Sequence, residues 1–395
     1  MVSTMDTIYF DNNATTAVAS EVFEAMTPFL TRLYGNPSSI HTFGGQVMAH
    51  IDKARERLAT LLGAQPSELI FTSCGTESDN AALRSALLTG NGRRKLVVSQ
   101  VEHPAILNVA KELKREGAQV ETIPVDSNGR LDMAQAETLI DDQTALVSVM
   151  WANNETGNIQ PVRELAELAH RHGALFHTDA VQAVGKVPIK LSEGWVDFLS
   201  LSGHKLHAPK GVGALYVRRG VRFHPFVLGG HQESGRRAGT ENVASVVGLG
   251  MAAELASQNI QHENTEVRAL RDRLEQGILK AVSDVRLNGD VEHRLPNTSN
   301  ISFEYIEGES ILMLLDQYGI CASSGSACTT GSLEPSHVLR AMGIPYTAAH
   351  GAIRFSLSRY NTLQEVDFVL EKLPPIISRL REISPYWENR KKQHP

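Results

Sequence analysis

From about residue 45 the chain alternates between two hydrophobic rhythms. "GQVMAHIDKARERLATLLG" carries apolar residues at helical spacing and stops at a glycine, and "ELIFTS" follows as a short continuous apolar run. That pair reads as a helix and then a buried strand. The alternation recurs: "KLVVSQ" precedes the helical "PAILNVAKELKREG", "ALVSVM" precedes "PVRELAELAHRHG", and "ALFHTDA", "VDFLSLS" and "GALYVRR" follow. Short apolar strands separated by amphipathic helices predict an α/β architecture, a mostly parallel sheet with helices on both faces. Ligands of such sheets bind beyond the carboxyl ends of the strands. After residue 240 the rhythm changes. A long helical region (about 241–285) leads into "VRLNG", "NTSNISF", a short helix near 308–317 and "AIRFSLS". The last segment, "TLQEVDFVLEKLPPIISRLREI", is helical, with Pro374 and Pro375 expected to break it. The expected partition is a large α/β domain over 14–257 and a smaller α+β domain made of 1–13 with 258–395.

Composition narrows the function classes. Apolar residues make up 42% of the 395, enough for a large buried core. A formal charge of −6 gives no support for binding nucleic acid or an anionic membrane. The start, "MVSTMDTIYFDNN", has neither a basic cluster nor a signal-length apolar run, and "VASVVGLGMAAELA" is too short and too rich in small residues to span a bilayer. A soluble cytoplasmic protein is expected. Three cysteines, Cys74, Cys321 and Cys328, form no C-x-x-C pair and suit a reducing compartment better than a disulfide framework. "HRHGALFH" (170–177) reads as helix-end and strand histidines rather than a metal site. "GLGMAA" (248–253) mimics a dinucleotide fingerprint but lies inside a helical pattern, where small residues permit close helix packing.

The polar residues that carry chemistry gather at strand ends. "FTSCGTESDN" (71–80) passes from a strand through a glycine into a helix whose first turn holds Thr76. Backbone N–H groups there, with a hydroxyl beside them, suit a phosphate; an ordinary N-cap by Thr76 looks the same in sequence. "LFHTDAVQ" ends a strand at Asp179, then Gln182, and "DFLSLSGHKLHAPKGVG" ends the next at Ser202, His204 and Lys205. Desolvation and neighbouring positive charge favour the neutral amine that forms imines. Lys210, in a turn-like "PKGVG", is the rival lysine. A carboxylate and a lysine at neighbouring strand exits suggest pyridoxal phosphate, the first for the pyridinium nitrogen and the second for the aldehyde. In "AIRFSLS", Ile353, Phe355 and Leu357 share one face, and Arg354 and Ser356 the other. Arg354 there could grip a carboxylate or face solvent.

The set "YFDNNATT", "YGNPSSIH", "FTSCGTESDN", "EHPA", "NNETGNIQP", "HTDAVQAVGK", "SLSGHKLHAPKGVG", "RAGTEN", "SSGSACTTGSLEPSHVLRAMG" and "IRFSLSRYNT" resembles the cysteine desulfurases of the class V aminotransferase group. The match runs in order through nearly the whole chain. The unbroken "SSGSAC" and the run after it look most like the nitrogen-fixation type, with the housekeeping iron–sulfur type second. The resemblance implies the pyridoxal-phosphate transferase fold (aspartate aminotransferase-like) and a role at each matching position. Lys205 would bind the cofactor aldehyde, and His103 would stack on its ring and move protons. Asp179 would pair with the ring nitrogen and Gln182 with the phenolic oxygen. Gly75, Thr76, Ser202 and His204 would hold the phosphate, and Thr240 would reach the phosphate of the partner subunit in a homodimer. Asn154, also counted with the cofactor shell, and Arg354 would bind the carboxylate of the L-cysteine substrate. Two departures are small: Cys74 and the alanine of "LHAPKG" stand where related chains often carry glycine.

Cys328 lies in "SSGSACTTGS" (323–332), ten residues with no aliphatic or aromatic side chain beyond alanine. A buried structural cysteine normally has apolar neighbours; a segment with little to bury is expected to move. The resemblance makes Cys328 the nucleophile that takes the substrate's sulfur as a persulfide. It would then hand that sulfur to an iron–sulfur scaffold or other acceptor, with only transient contact to cluster metal. Three rivals stay open: a selenocysteine lyase or aminotransferase on the same fold, a housekeeping desulfurase, and a noncatalytic sulfur-relay adaptor. The polar, basic-ended tail "SPYWENRKKQHP" is either a docking element or a solvated terminus.

Overall fold

The computed structural model describes residues 7–324 and 335–387. Strand β1 (Ile8–Tyr9) belongs to the first segment. Next come β2 (Leu69–Thr72), β3 (Lys95–Ser99), β4 (Gln119–Ile123) and β5 (Thr144–Ser148), then β6 (Leu175–Asp179), β7 (Phe198–Ser202) and β8 (Gly213–Val217). These seven form one sheet in the order β2-β8-β7-β6-β5-β3-β4. Pairing is parallel except at β8, which runs antiparallel to both β2 and β7. The continuous apolar runs have a direct cause. Val97 of β3 and Leu199 and Leu201 of β7 pack into a core on one face, while Leu96, Val98 and Phe198 pack into a second core on the other. With both faces covered, neither side of a strand needs to be polar. Strand β4 is absent from the sequence reading because it is the sheet's edge, and its "QVETI" is polar at Gln119, Glu121 and Thr122.

The remaining strands are β9 (Val285–Asn288), β10 (Thr298–Phe303), β11 (Ile320–Cys321) and β12 (Ala352–Ser356). An antiparallel sheet of order β12-β10-β9 and a parallel β1-β11 pair result. Phe10 packs with Leu274, Ile301, Phe355 and Leu373 in a separate core. The helix Leu363–Ile383 runs unbroken through Pro374 and Pro375, which corrects the expected break. Val366, Val369 and Leu373 before the prolines, and Ile376 and Ile377 after them, bury one face. That packing holds the helix where two backbone N–H groups are missing.

"GLGMAA" lies inside the helix Val243–His262. A Cβ on Gly250 would collide with the Ala54 Cα in the helix Thr42–Leu62, so the small residue serves close packing. Among the described residues, no helix is long and apolar enough to cross a membrane.

Candidate active site

The carboxyl ends of β2, β3, β5, β6 and β7 open on one cavity of about 310 Å³. Gly75 and Thr76 follow β2, His103 follows β3, and Asn154 follows β5. Asp179 ends β6 with Gln182 beyond it, and Ser202 ends β7 with His204 and Lys205 beyond. Arg354 of β12 and Asn13 of the first segment complete the wall. Ten of the residues named from sequence therefore meet in one place. Thr240 does not: it is exposed and does not line this cavity. Its segment is docked near β2, with Arg237 on Glu77 at 2.9 Å and Glu233 on Arg55 at 2.8 Å. Cys328 lies outside the described residues.

The two candidate lysines are far from equivalent. Lys205 Nζ donates to the carbonyls of Asn13 and Ala14, both at 2.6 Å, inside the cavity. Lys210 is exposed and takes no part in the lining. Arg354 is 2% exposed, so the solvent-facing reading is wrong. Its Nη2 pairs with Asp11 at 2.7 Å and its Nη1 donates to the Asn154 carbonyl at 2.9 Å, which presets the fork. The N-cap reading of Thr76 also fails. Cys74 holds that position, without a side-chain cap bond, and Thr76 stands in the first turn of the helix Gly75–Thr89. First-turn N–H groups have no partner within the helix. A Cβ on Gly75 would meet Val181 Cγ2 at 2.8 Å, so this turn needs a glycine to pack against the wall behind Asp179.

Electrostatics separate the roles. Burial raises the Asp179 carboxyl above its ordinary range, opposed by His103, the N–H of Val181 and Lys205. That N–H donates to Oδ1 at 2.9 Å. Burial lowers the pKa of His103, against the pull of Asp179. His103 Nδ1 accepts the Ala105 N–H at 3.1 Å, so the neutral ring carries its proton on Nε2. His204 is pushed down to about 4, by burial first and then by Lys205 and Lys210.

Sequence reasoning missed three residues. The Asn13 carbonyl accepts from Lys205 and from Gln182 Nε2, the latter at 2.9 Å, while its side chain donates to Thr298 at 2.9 Å. Its only sequence signal is the paired asparagine of "DNN", in a stretch without helix or strand rhythm. Asp79 reads as one more polar helix position but is 1% exposed and lines the cavity. Glu102 is fully buried beside His103; its Oε1 accepts from Ser99 Oγ at 2.5 Å and from the Met150 N–H at 2.8 Å. Burial pushes Glu102 up to about 8. A folded value above the unfolded one means stability that is full below the ordinary carboxylate range and lost as pH rises through about 8. Urea unfolding between about pH 5 and pH 9 is expected to show wild type losing on the order of a few kcal/mol more than Glu102→Gln over that window. Parallel curves for the two proteins would contradict this.

The lining suits a phosphorylated pyridine aldehyde. It offers a lysine, a recessed carboxyl, a helix N-terminus with a hydroxyl, and a ring histidine. Three lining residues each keep a buried atom without a hydrogen-bond partner, Asp79 Oδ1, Gln182 Oε1 and Arg354 Nε. The comparisons with known proteins agree. The family described as "Aminotransferase class-V" matches residues 8–369. "Cysteine desulfurase NifS" of Azotobacter vinelandii is 60% identical over 384 residues, 97% of this chain and 96% of that protein. A solved structure described as "NIFS-LIKE PROTEIN" has a TM-score of 0.89 at 42% identity and covers 95% of this chain and 100% of that one. Another, "SspA in complex with cysteine", has a TM-score of 0.79 at 34% identity over 90% of this chain and 100% of that one. Sequence, fold and cavity thus place the chain in the class V aminotransferase family, among its cysteine desulfurases.

Proposed function

We propose that the cavity holds pyridoxal phosphate on Lys205 and that the protein turns L-cysteine into L-alanine, with the sulfur kept as a persulfide on Cys328. The observation that carries this is the joint presence of Lys205, Asp179 and the buried Arg354 fork in one cavity. When bound, the cofactor supplies an electron sink for bonds at the amino-bearing carbon. Asp179 holds the proton on the ring nitrogen, and Gln182 reaches the phenolic oxygen. The first turn at Gly75 and Thr76, with Ser202 and His204, takes the phosphate. Arg354 and Asn154 fix the substrate carboxylate, and the Nε2–H of His103 serves proton movement. The Cys328 thiolate attacks the substrate sulfur: an S–S bond forms, the C–S bond breaks, and the carbon skeleton is protonated and leaves as alanine.

The flanks of 325–334 support that role for Cys328. Ser323 and Arg354 exchange backbone hydrogen bonds at 3.2 and 2.6 Å. On the other side Ser336 Oγ bonds the buried Glu155, and His337 Nε2 reaches the Glu102 carbonyl at 2.9 Å, one residue from His103. The structure named "SspA in complex with cysteine" supports cysteine as substrate. Delivery to nitrogenase metalloclusters through a scaffold protein is supported by the relative named NifS. Exposed Phe23, Leu30, Tyr34 and Leu228 support a homodimer in which Thr240 serves the partner subunit. The reading includes a cytoplasmic location, supported by sparse cysteine use, and a two-domain division at residues 13 and 257.

The test is product analysis: purified protein with L-cysteine should yield alanine and protein-bound sulfur in equal amounts. A keto acid in place of alanine would mean transamination instead. Arg354→Lys loses the fork and is expected to lower kcat/KM by about 2–4 kcal/mol while cofactor binding survives. Near wild-type kinetics would remove Arg354 from substrate binding.

A further inference from the structure

Behind the cavity a chain of polar side chains crosses the middle of the sheet. His177 on β6 is fully buried, with Nδ1 2.8 Å from Ser148 Oγ on β5 and Nε2 3.0 Å from Ser200 Oγ on β7. Burial pushes this imidazole down to about 3, so it is neutral. Asp79, on the helix Gly75–Thr89, closes the chain. Its Oδ1 is 3.6 Å from His177 Nε2 and has no hydrogen-bond partner, and the Ser200 hydroxyl is close enough to favour the ionised form of the carboxyl against its burial. The titratable groups around Asp79 are Asp179 and His177 from β6, Glu102 from the end of β3, and Cys74 from its own helix start. Among the described residues no lysine or arginine is paired with it.

A buried carboxylate without a cation is costly, and two carboxyls in one site do not both ionise readily. The asymmetry of their surroundings decides which one keeps the proton. Asp179 accepts a backbone N–H and has His103 and Lys205 as favourable neighbours. Asp79 has a serine, a neutral imidazole and further acids. Burial and the Asp179 charge also raise its acid well above the carboxylate range.

We propose that Asp79 is a positioning residue for Asp179: it shares the buried site as an uncharged carboxyl, set against the His177 ring that Ser148 and Ser200 hold, so that the pair carries a single negative charge, on Asp179. This rests on the reading that Asp179 faces the ring nitrogen of the cofactor. Asp79 itself performs no step of the reaction.

Infrared spectroscopy of the protein, with and without pyridoxal phosphate, tests the proton directly. Wild type at neutral pH is expected to show carbonyl bands of protonated carboxylic acids, one lost in Asp79→Asn and another in Glu102→Gln. Asp79→Asn, a neutral isostere, should keep the cofactor dissociation constant within about twofold and leave unchanged the ¹⁵N resonance of the ring nitrogen of labelled cofactor. Asp79→Ala removes the polar group that faces His177 and leaves a gap behind Asp179, and should weaken cofactor retention about tenfold, with Asn restoring it. The proposal is overturned if Asp79→Asn loses no band, if it shifts the nitrogen resonance, or if Asp79→Ala binds like wild type. Should Asp79→Ala fail to fold, the Asn variant and its band decide alone. Asp179→Asn is the control: an unchanged nitrogen resonance there would refute the reading of Asp179, whereas a retained band in Asp79→Asn refutes only the role of Asp79.

Discussion

Lys205→Ala is expected to lose the visible absorbance of the bound cofactor and to lower turnover by about 10⁴-fold or more. Lys210→Ala should keep both. The difference follows from position: Lys205 Nζ is held by the Asn13 and Ala14 carbonyls inside the cavity, and Lys210 is on the surface. Loss of Lys205 removes the amine that binds the aldehyde, but Asp179, Gln182 and the first turn at Thr76 remain. Added pyridoxal phosphate should therefore still bind, reversibly and without covalent attachment. Borohydride reduction of wild type followed by peptide mapping checks the assignment. A pyridoxyl group on Lys210 would overturn it.

Cys328→Ser should separate the two halves of the reaction. The substitution keeps the size but replaces a readily ionised thiol with a hydroxyl that stays protonated near neutral pH. Cysteine should still bind, gripped by Arg354, and should still change the cofactor spectrum. Alanine release should fall by about 10⁴-fold or more, as for loss of other covalent nucleophiles. The other two thiols are poor substitutes for different reasons. Cys321 is on β11, and burial pushes its thiol up. Cys74 lines the cavity, but it is fixed at the helix N-cap, where the Ser73 hydroxyl reaches its sulfur at 3.6 Å. Ordinary turnover by Cys328→Ser would assign the attack to one of these two.

The sequence was most legible where burial is two-sided. Because both faces of the large sheet are covered, most of its strands stand out as apolar runs, and those of β2, β3, β5, β6 and β7 end beside residues of the cavity. Asp179, Ser202 and Lys205 were found by that adjacency alone. Legibility failed where a neighbour in space decides the outcome. The edge position of β4 leaves it polar, and tertiary packing carries a helix through Pro374 and Pro375. Alternation put Arg354 on the face opposite Phe355 but did not show that Asp11 and Asn154 cover it. Asp79 could not be told from a solvated helix residue, since His177 is almost a hundred positions away in the chain. Asn13 acts through its backbone carbonyl, which no side-chain pattern reveals.

The central claim is that the substrate's sulfur moves to Cys328. The direct measurement is brief incubation of the wild-type protein with L-cysteine, alkylation under non-reducing conditions, and peptide mapping by mass spectrometry. One additional sulfur on the peptide carrying Cys328, and none on those carrying Cys74 or Cys321, is the predicted result. Sulfur on Cys74 or Cys321, or free sulfide with no protein-bound sulfur at all, would contradict it.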